Sequence, residues 1–132
     1  MTEFTDEPIR DLIRRPLLQV HLDDTLRQLA EILATESVGA AVVKGTRPPA
    51  LISERDIINA LANGVDPDRT AVREAMTEDL ATAAPSDRTT VVAQRMLADE
   101  IRHMPIVEDE VVIGVVSVRD VLRAVVDGRP GS

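Results

Sequence analysis

Ser53-Glu54-Arg55-Asp56 recurs as Ser117-Val118-Arg119-Asp120, 64 residues further along the chain. A short β-like run leads into each tetrad, Ala50-Leu51-Ile52 in the first and Gly114-Val115-Val116 in the second, and a helical pattern follows. One strand-to-helix turn is therefore written twice. Each copy places a hydroxyl, a guanidinium and a carboxylate at the same structural position.

The repeat extends outward from the tetrads. A shift of 63 pairs Arg10 with Arg73, Leu17 with Leu80, Asp24 with Asp87, Ala30 with Ala93 and Val43 with Ile106. Beyond Lys44-Gly45-Thr46-Arg47-Pro48-Pro49, a turn able to absorb one inserted residue, the shift becomes 64 and pairs Ile57 with Val121 and Gly64 with Gly128. This period is longer than that of the usual solenoid repeats. A unit of roughly 60 residues is marginal on its own, because too little of its surface can be buried. Two copies packed face to face answer that difficulty, so the chain reads as one pseudo-symmetric module with repeats at 9–64 and 72–128, a linker at 65–71 and tails at 1–8 and 129–132.

The elements follow from local signals. Ile9–Arg14 reads as a lead-in helix and Leu17–Val20 as a short strand. Thr25-x-x-Gln28 is a capping box that opens a helix, with Leu26, Leu29, Ile32 and Leu33 at helical spacing. Gly39–Val43 and Ala50–Ile52 form a hairpin, and Arg55–Ala62 is the closing helix with Gly64 as its stop. The second copy repeats the order: helix Val72–Met76, a strand near Leu80–Ala83, Pro85 before the next cap, helix Thr89–Asp99, strands Met104–Val107 and Val112–Val116, and helix Val118–Val126 ending at Gly128 and Pro130. The predicted class is α/β (α+β), each repeat running helix, strand, helix, strand, strand, helix.

Composition removes several functions. The 132 residues are 44% hydrophobic and 29% charged, as in an ordinary globular protein. The longest nearly apolar run, Val111–Val118, is far below the roughly 20 residues of a membrane helix, and the acidic N-terminus has no secretory core. Cysteine is absent, which excludes disulfides, thiolate catalysis and cysteine metal sites and fits a cytoplasmic protein. A net charge of −8 repels a phosphate backbone, and the sole aromatic residue, Phe4, offers no stacking platform. Nucleic acid and membrane are not expected partners. A bound purine would have to slot between aliphatic side chains. The two histidines, His21 and His103, make no zinc motif, and pairs such as Asp23-Asp24 read as caps before they read as magnesium ligands. No nucleophile elbow, glycine-rich phosphate loop or metal helix is present, so no enzyme activity is expected.

The tetrads admit two readings. Ser-x-x-acid is what an ordinary capped helix looks like. Equally, an ionised aspartate can accept hydrogen bonds from two vicinal hydroxyls, as a ribose offers, while the serine hydroxyl and free amides at the helix start can hold a phosphate. Both hold together if the cap stays intact while the carboxylate faces a ligand. Arg55 and Arg119 read as phosphate ligands, as a solvated face, or as ion-pair partners of Glu54 and Asp120.

Arg102-His103-Met104-Pro105-Ile106-Val107, followed by Ile113-Gly114-Val115-Val116-Ser117-Val118-Arg119-Asp120, resembles the signature of tandem CBS domains, the cystathionine-beta-synthase-type repeat. The first copy departs from it: Val38–Val43 has neither basic pair nor proline, and Ala50 stands where glycine is usual. The resemblance covers residues 9–128. It implies two clefts between the repeats and a disk-like homodimer. It also implies a regulatory rather than catalytic role, exercised on an unknown protein partner.

The implied ligands carry adenosine: AMP, ADP, ATP, a dinucleotide or S-adenosylmethionine, as a regulatory ligand and not a cofactor. The implied ligand residues are Ser53, Asp56, Arg102, His103, Met104, Pro105, Ser117, Arg119 and Asp120. Because neighbouring strand residues face opposite ways, Arg102 and His103 cannot both face the ligand; His103 is favoured for it, the alternative being a surface arginine and a packed or exposed histidine. The fuller second motif predicts tighter binding at Asp120 than at Asp56. The depleted first copy supports an alternative, a dimeric protein-interaction module with vestigial clefts. A small hydrolase would need a base beside Ser53 or Ser117, and none is evident.

Overall fold

A computed structural model describes residues 5–127. The expected stops at Gly128 and Pro130, and the 129–132 tail, lie outside the described residues. The chain divides into two compact units, one spanning Leu17–Leu80 and one combining the residues up to Pro16 with those from Ala81 onward. The sequence repeats and the compact units are thus different partitions. Each repeat hands its lead-in segment to the unit built on the other repeat.

In the Leu17–Leu80 unit, β1 (Gln19–His21) runs parallel to β2 (Ala40–Lys44), which pairs antiparallel with β3 (Ala50–Ser53). Helix α1 (Leu26–Glu36) opens on the expected box: Gln28 N–H donates to Thr25 Oγ1 at 3.1 Å, and Thr25 N–H to Gln28 Oε1 at 2.8 Å. Helix α2 (Glu54–Ala62) ends at Asn63, and Gly64 follows in the left-handed region at φ 85°, which glycine adopts without steric penalty. Leu26, Leu29 and Leu33 of α1 meet Val20, Ala41, Val43, Ala50, Ile52 and Ile57 in one core. Val72, from the lead-in segment of the second repeat, completes this core. The 65–80 stretch also satisfies orphan amides of α1, since Leu26 N–H donates to the Thr70 carbonyl and Arg27 N–H to that of Pro67. Thr77 and Leu51 exchange two backbone bonds of 2.8 and 3.0 Å, closing the free edge of β3.

The other unit has α3 (Thr89–Asp99), the hairpin of β4 (His103–Glu108) and β5 (Val111–Ser117), and α4 (Val118–Asp127). Ile9 and Leu12, on a 3-10 turn at Ile9–Leu12, are buried with Val92, Met96, Met104, Ile106, Val116, Val121 and Ala124. Helices α1 and α3 both end on a non-glycine residue at φ 54°, Ser37 and Glu100, 63 residues apart. The repeat therefore persists in backbone detail.

The strand expected near Leu80–Ala83 shrinks to a single parallel bridge between Ala83 and Ile106. The cause is Pro105. In the first copy Val42 N–H donates to the Leu18 carbonyl at 2.9 Å. The residue 63 places after Val42 is Pro105, which has no N–H, so the matching bond to Ala81 cannot form. The cap of α3 also differs. Arg88 occupies the N-cap without a side-chain capping bond to the helix amides, and Asp6 supplies the acceptor instead.

Candidate functional site

Both tetrads form capping boxes with nearly the same geometry. Ser53 N–H donates to Asp56 Oδ2 at 2.9 Å, Ser53 Oγ–H to the same oxygen at 3.2 Å, and Asp56 N–H to Ser53 Oγ at 3.3 Å. The corresponding distances at Ser117 and Asp120 are 2.8, 3.0 and 3.1 Å. The sequence forces this: the serine ends an extended strand and its carboxylate partner sits at N3, one helical turn on. The capping reading is therefore satisfied in both copies, and one carboxylate oxygen of each pair is consumed by it.

The second oxygen separates the copies. Thr77 Oγ–H reaches Asp56 Oδ1 at 3.4 Å. Asp120 Oδ1 accepts no hydrogen bond among the described residues. Both aspartates are half-buried and neither is turned fully to bulk water. Thr77 was not singled out in the sequence. The shift of 63 sets Arg14 at its place in the other lead-in, so the repeat gives no signal for it.

The expected set of free amides is smaller than the sequence suggested. The first amides of the two helices are already taken: Glu54 N–H donates to the Gly39 carbonyl at 2.8 Å, and Val118 N–H to the Arg102 carbonyl at 2.9 Å. The third amides serve the caps, and each serine hydroxyl hydrogen points at its own aspartate. This leaves the amides of Arg55 and Arg119 as first-turn donors.

Strand register brings His103 to the second corner. His103 pairs with Ser117 across the β4–β5 ladder, so the two side chains share a sheet face, and His103 is half-buried. In the first copy Ala40 faces Ser53 instead. Arg102 and Arg119 are exposed, as is Arg55. No ion pair of Arg55 with Glu54 or of Arg119 with Asp120 forms among the described residues. Met104 is 0% exposed and belongs to the core, and Pro105 is buried opposite Val115. Ser117, Asp120 and His103 thus gather at one corner, Ser53 and Asp56 at another with Thr77. Among the described residues no group of three or more His, Asp or Glu side chains is arranged to hold a metal ion, and no helix is long and apolar enough to cross a membrane.

A CBS-domain family model matches residues 9–63 and 72–127. The chain belongs to the CBS-domain family. It is similar to the mitochondrial CBS domain-containing protein CBSX3 of Arabidopsis thaliana, at 37% identity over 111 residues, covering 79% of this chain and 54% of that protein. It covers 42% of a similar uncharacterized protein, MJ1225, from Methanocaldococcus jannaschii. The chain therefore spans about half the length of these curated relatives. Among solved structures, the CBS-domain containing protein ATU1752 from Agrobacterium tumefaciens superimposes with a TM-score of 0.81 at 26% identity, over 89% of this chain and 98% of that one. The CBS domain protein PAE2072 from Pyrobaculum aerophilum, solved in complex with AMP, gives 0.75 at 31% identity, over 85% and 88%. The mixed α/β fold with two CBS repeats is thereby shown.

Proposed function

We propose that this CBS pair is a regulatory module that binds an adenosine-containing ligand, with Asp120 as the principal acceptor for the ribose. The observation that carries the reading is the division of labour on Asp120: Oδ2 is held by the Ser117 cap, while Oδ1 accepts nothing among the described residues. A carboxylate oxygen fixed in this way is pre-ordered to receive vicinal hydroxyls without losing side-chain entropy on binding. His103, across the ladder from Ser117, and the amide and guanidinium of Arg119 supply donors for phosphate. The AMP complex of PAE2072 supports the ligand class.

AMP, ADP, ATP, a dinucleotide and S-adenosylmethionine all satisfy this chemistry. Ser53 and Asp56 form the weaker corner, because Thr77 shares Asp56 Oδ1 and Ala40 replaces the histidine. Arg102 contributes charge from the surface; Met104 and Pro105, being buried, contribute through backbone and packing. The module acts as a homodimer on a protein partner, carries out no chemistry itself and works in the cytoplasm. A thermal-shift panel of these five ligands tests the reading. A ligand at 100 times its Kd adds about 2.7 kcal/mol, which raises Tm on the order of 10 °C for a chain of this size. Asp120→Asn, which preserves an oxygen for the cap but removes the free carboxylate acceptor, should abolish most of the shift. A panel with no shift at millimolar ligand would reject the proposal.

A further inference from the structure

The segment that precedes the first repeat is built into the unit that carries Ser117 and Asp120. Asp6 caps α3 from outside the helix: Thr90 N–H donates to Asp6 Oδ1 at 3.0 Å and Thr90 Oγ–H to Oδ2 at 2.7 Å. The Thr89 amide and hydroxyl both donate to the Glu7 carbonyl, at 2.9 and 2.7 Å, and the Arg88 guanidinium donates to the Asp6 carbonyl at 2.9 Å. Ile9 N–H and Arg10 N–H then donate to the carbonyls of Asp87 and Pro85. Residues 6–10 are thus strapped along the start of α3 by polar bonds.

The strap continues into the core. Its 3-10 turn packs against both β5 and α4, the two elements that meet at Ser117–Asp120. Ile9 and Leu12 share a core with Val116, one residue before that corner, and with Val121, one residue after it. Ile13 lies directly over Gly114. Both arms of the corner therefore rest on residues 9–13.

We infer that the strap is a conformational coupler: its docking on α3 holds the Ser117–Asp120 corner in shape, and its release loosens that corner while the Ser53–Asp56 corner is left unchanged. The coupling needs no ligand and stands apart from the ribose reading. Coupling free energies are reciprocal, so any ligand seated at Asp120 tightens the strap in turn. A force or partner acting on the N-terminal segment thereby gains access to one of the two corners.

Hydrogen exchange on the full chain, without ligand, tests this. Asp6→Ala removes the strap's cap and should speed exchange of the Ile9 and Arg10 amides roughly fivefold, the usual consequence of losing one cap. Amides of Gly114–Asp120 should accelerate by a similar factor, and those of Ala50–Asp56 should stay at the wild-type rate. If Asp6→Ala leaves the strap protected, Leu12→Ala loosens it from the core and the same comparison is read. Acceleration of the strap alone overturns the inference. So does equal acceleration at both corners, and so does failure of both variants to change Gly114–Asp120.

Discussion

Ile13 lies over Gly114 so closely that a β-carbon on Gly114 would stand 2.7 Å from Ile13 Cδ1 and 2.9 Å from both Cγ1 and Cγ2. The glycine of the second motif is thus explained by packing of the strap on β5, three residues before Ser117. Gly114→Ala should destabilise the protein by about 1–3 kcal/mol, the usual cost of overpacking, measured as a lower urea midpoint at unchanged slope. Ile13→Ala in the same chain should recover most of that loss. The first copy tolerates Ala50 at the matching place; there the lead-in residue 63 places after Ile13 is Met76, whose unbranched side chain adapts more readily.

The two serines have a structural role in any case. Ser53→Ala and Ser117→Ala each remove an N-cap acceptor from a first-turn amide. Each should cost about 1 kcal/mol, read from the same urea titration. A ligand effect of Ser117→Ala is therefore to be judged against Ser53→Ala, which carries the same capping loss.

Acid should weaken the strap. Asp6 accepts from the Thr90 amide and then from its hydroxyl, with Arg88 nearby, and these hold its carboxyl below the ordinary aspartate value despite the opposing effect of partial desolvation. A carboxylate with a depressed folded-state pKa contributes stability that is fully present above its unfolded value of roughly 3.9 and is lost as pH falls through the lower folded value. The carboxyl carbon of Asp6, followed by NMR, should titrate below the random-coil midpoint in the wild type, and Thr90→Val, which removes the hydroxyl bond but keeps the amide bond, should move it only part of the way up. A midpoint at the random-coil value would contradict the cap geometry.

Pro105 limits the parallel ladder, and its replacement should extend it. Pro105→Val restores an N–H at the place where Val42 donates to Leu18. The new amide should be protected from exchange, with the Ala81 carbonyl as its acceptor. Rapid exchange at residue 105 in that variant would show that another constraint, not the missing donor, shortens the strand.

The fold was legible because periodicity and duplication agree. Thr25-x-x-Gln28 announced α1 and its cap, the Lys44–Pro49 turn separated two strands that do pair antiparallel, and the matched tetrads located the strand-to-helix corners. What stayed hidden depends on long-range contact. Nothing local to Ile9 or Val72 says that each packs on the other repeat's core, since an apolar lead-in is satisfied by either. Thr77 and Asp6 are polar residues in loops, and their roles arise only once the chain brings them to Asp56 and Thr90. At the two corners, Ser-x-x-Asp announced the caps and the fuller second motif pointed to a difference between the copies, but neither showed the hydroxyl of Thr77 beside Asp56 or the register that sets His103, and not Ala40, opposite a serine.

The most direct test is calorimetric titration of AMP into the wild type, Asp56→Asn and Asp120→Asn at equal protein concentration. The predicted result is that Asp120→Asn loses the tighter site, with at least a tenfold rise in Kd, equivalent to about 1.4 kcal/mol, while Asp56→Asn keeps it. Equal weakening by the two substitutions, or unchanged affinity with Asp120→Asn, would contradict the assignment of Asp120 as the principal ribose acceptor.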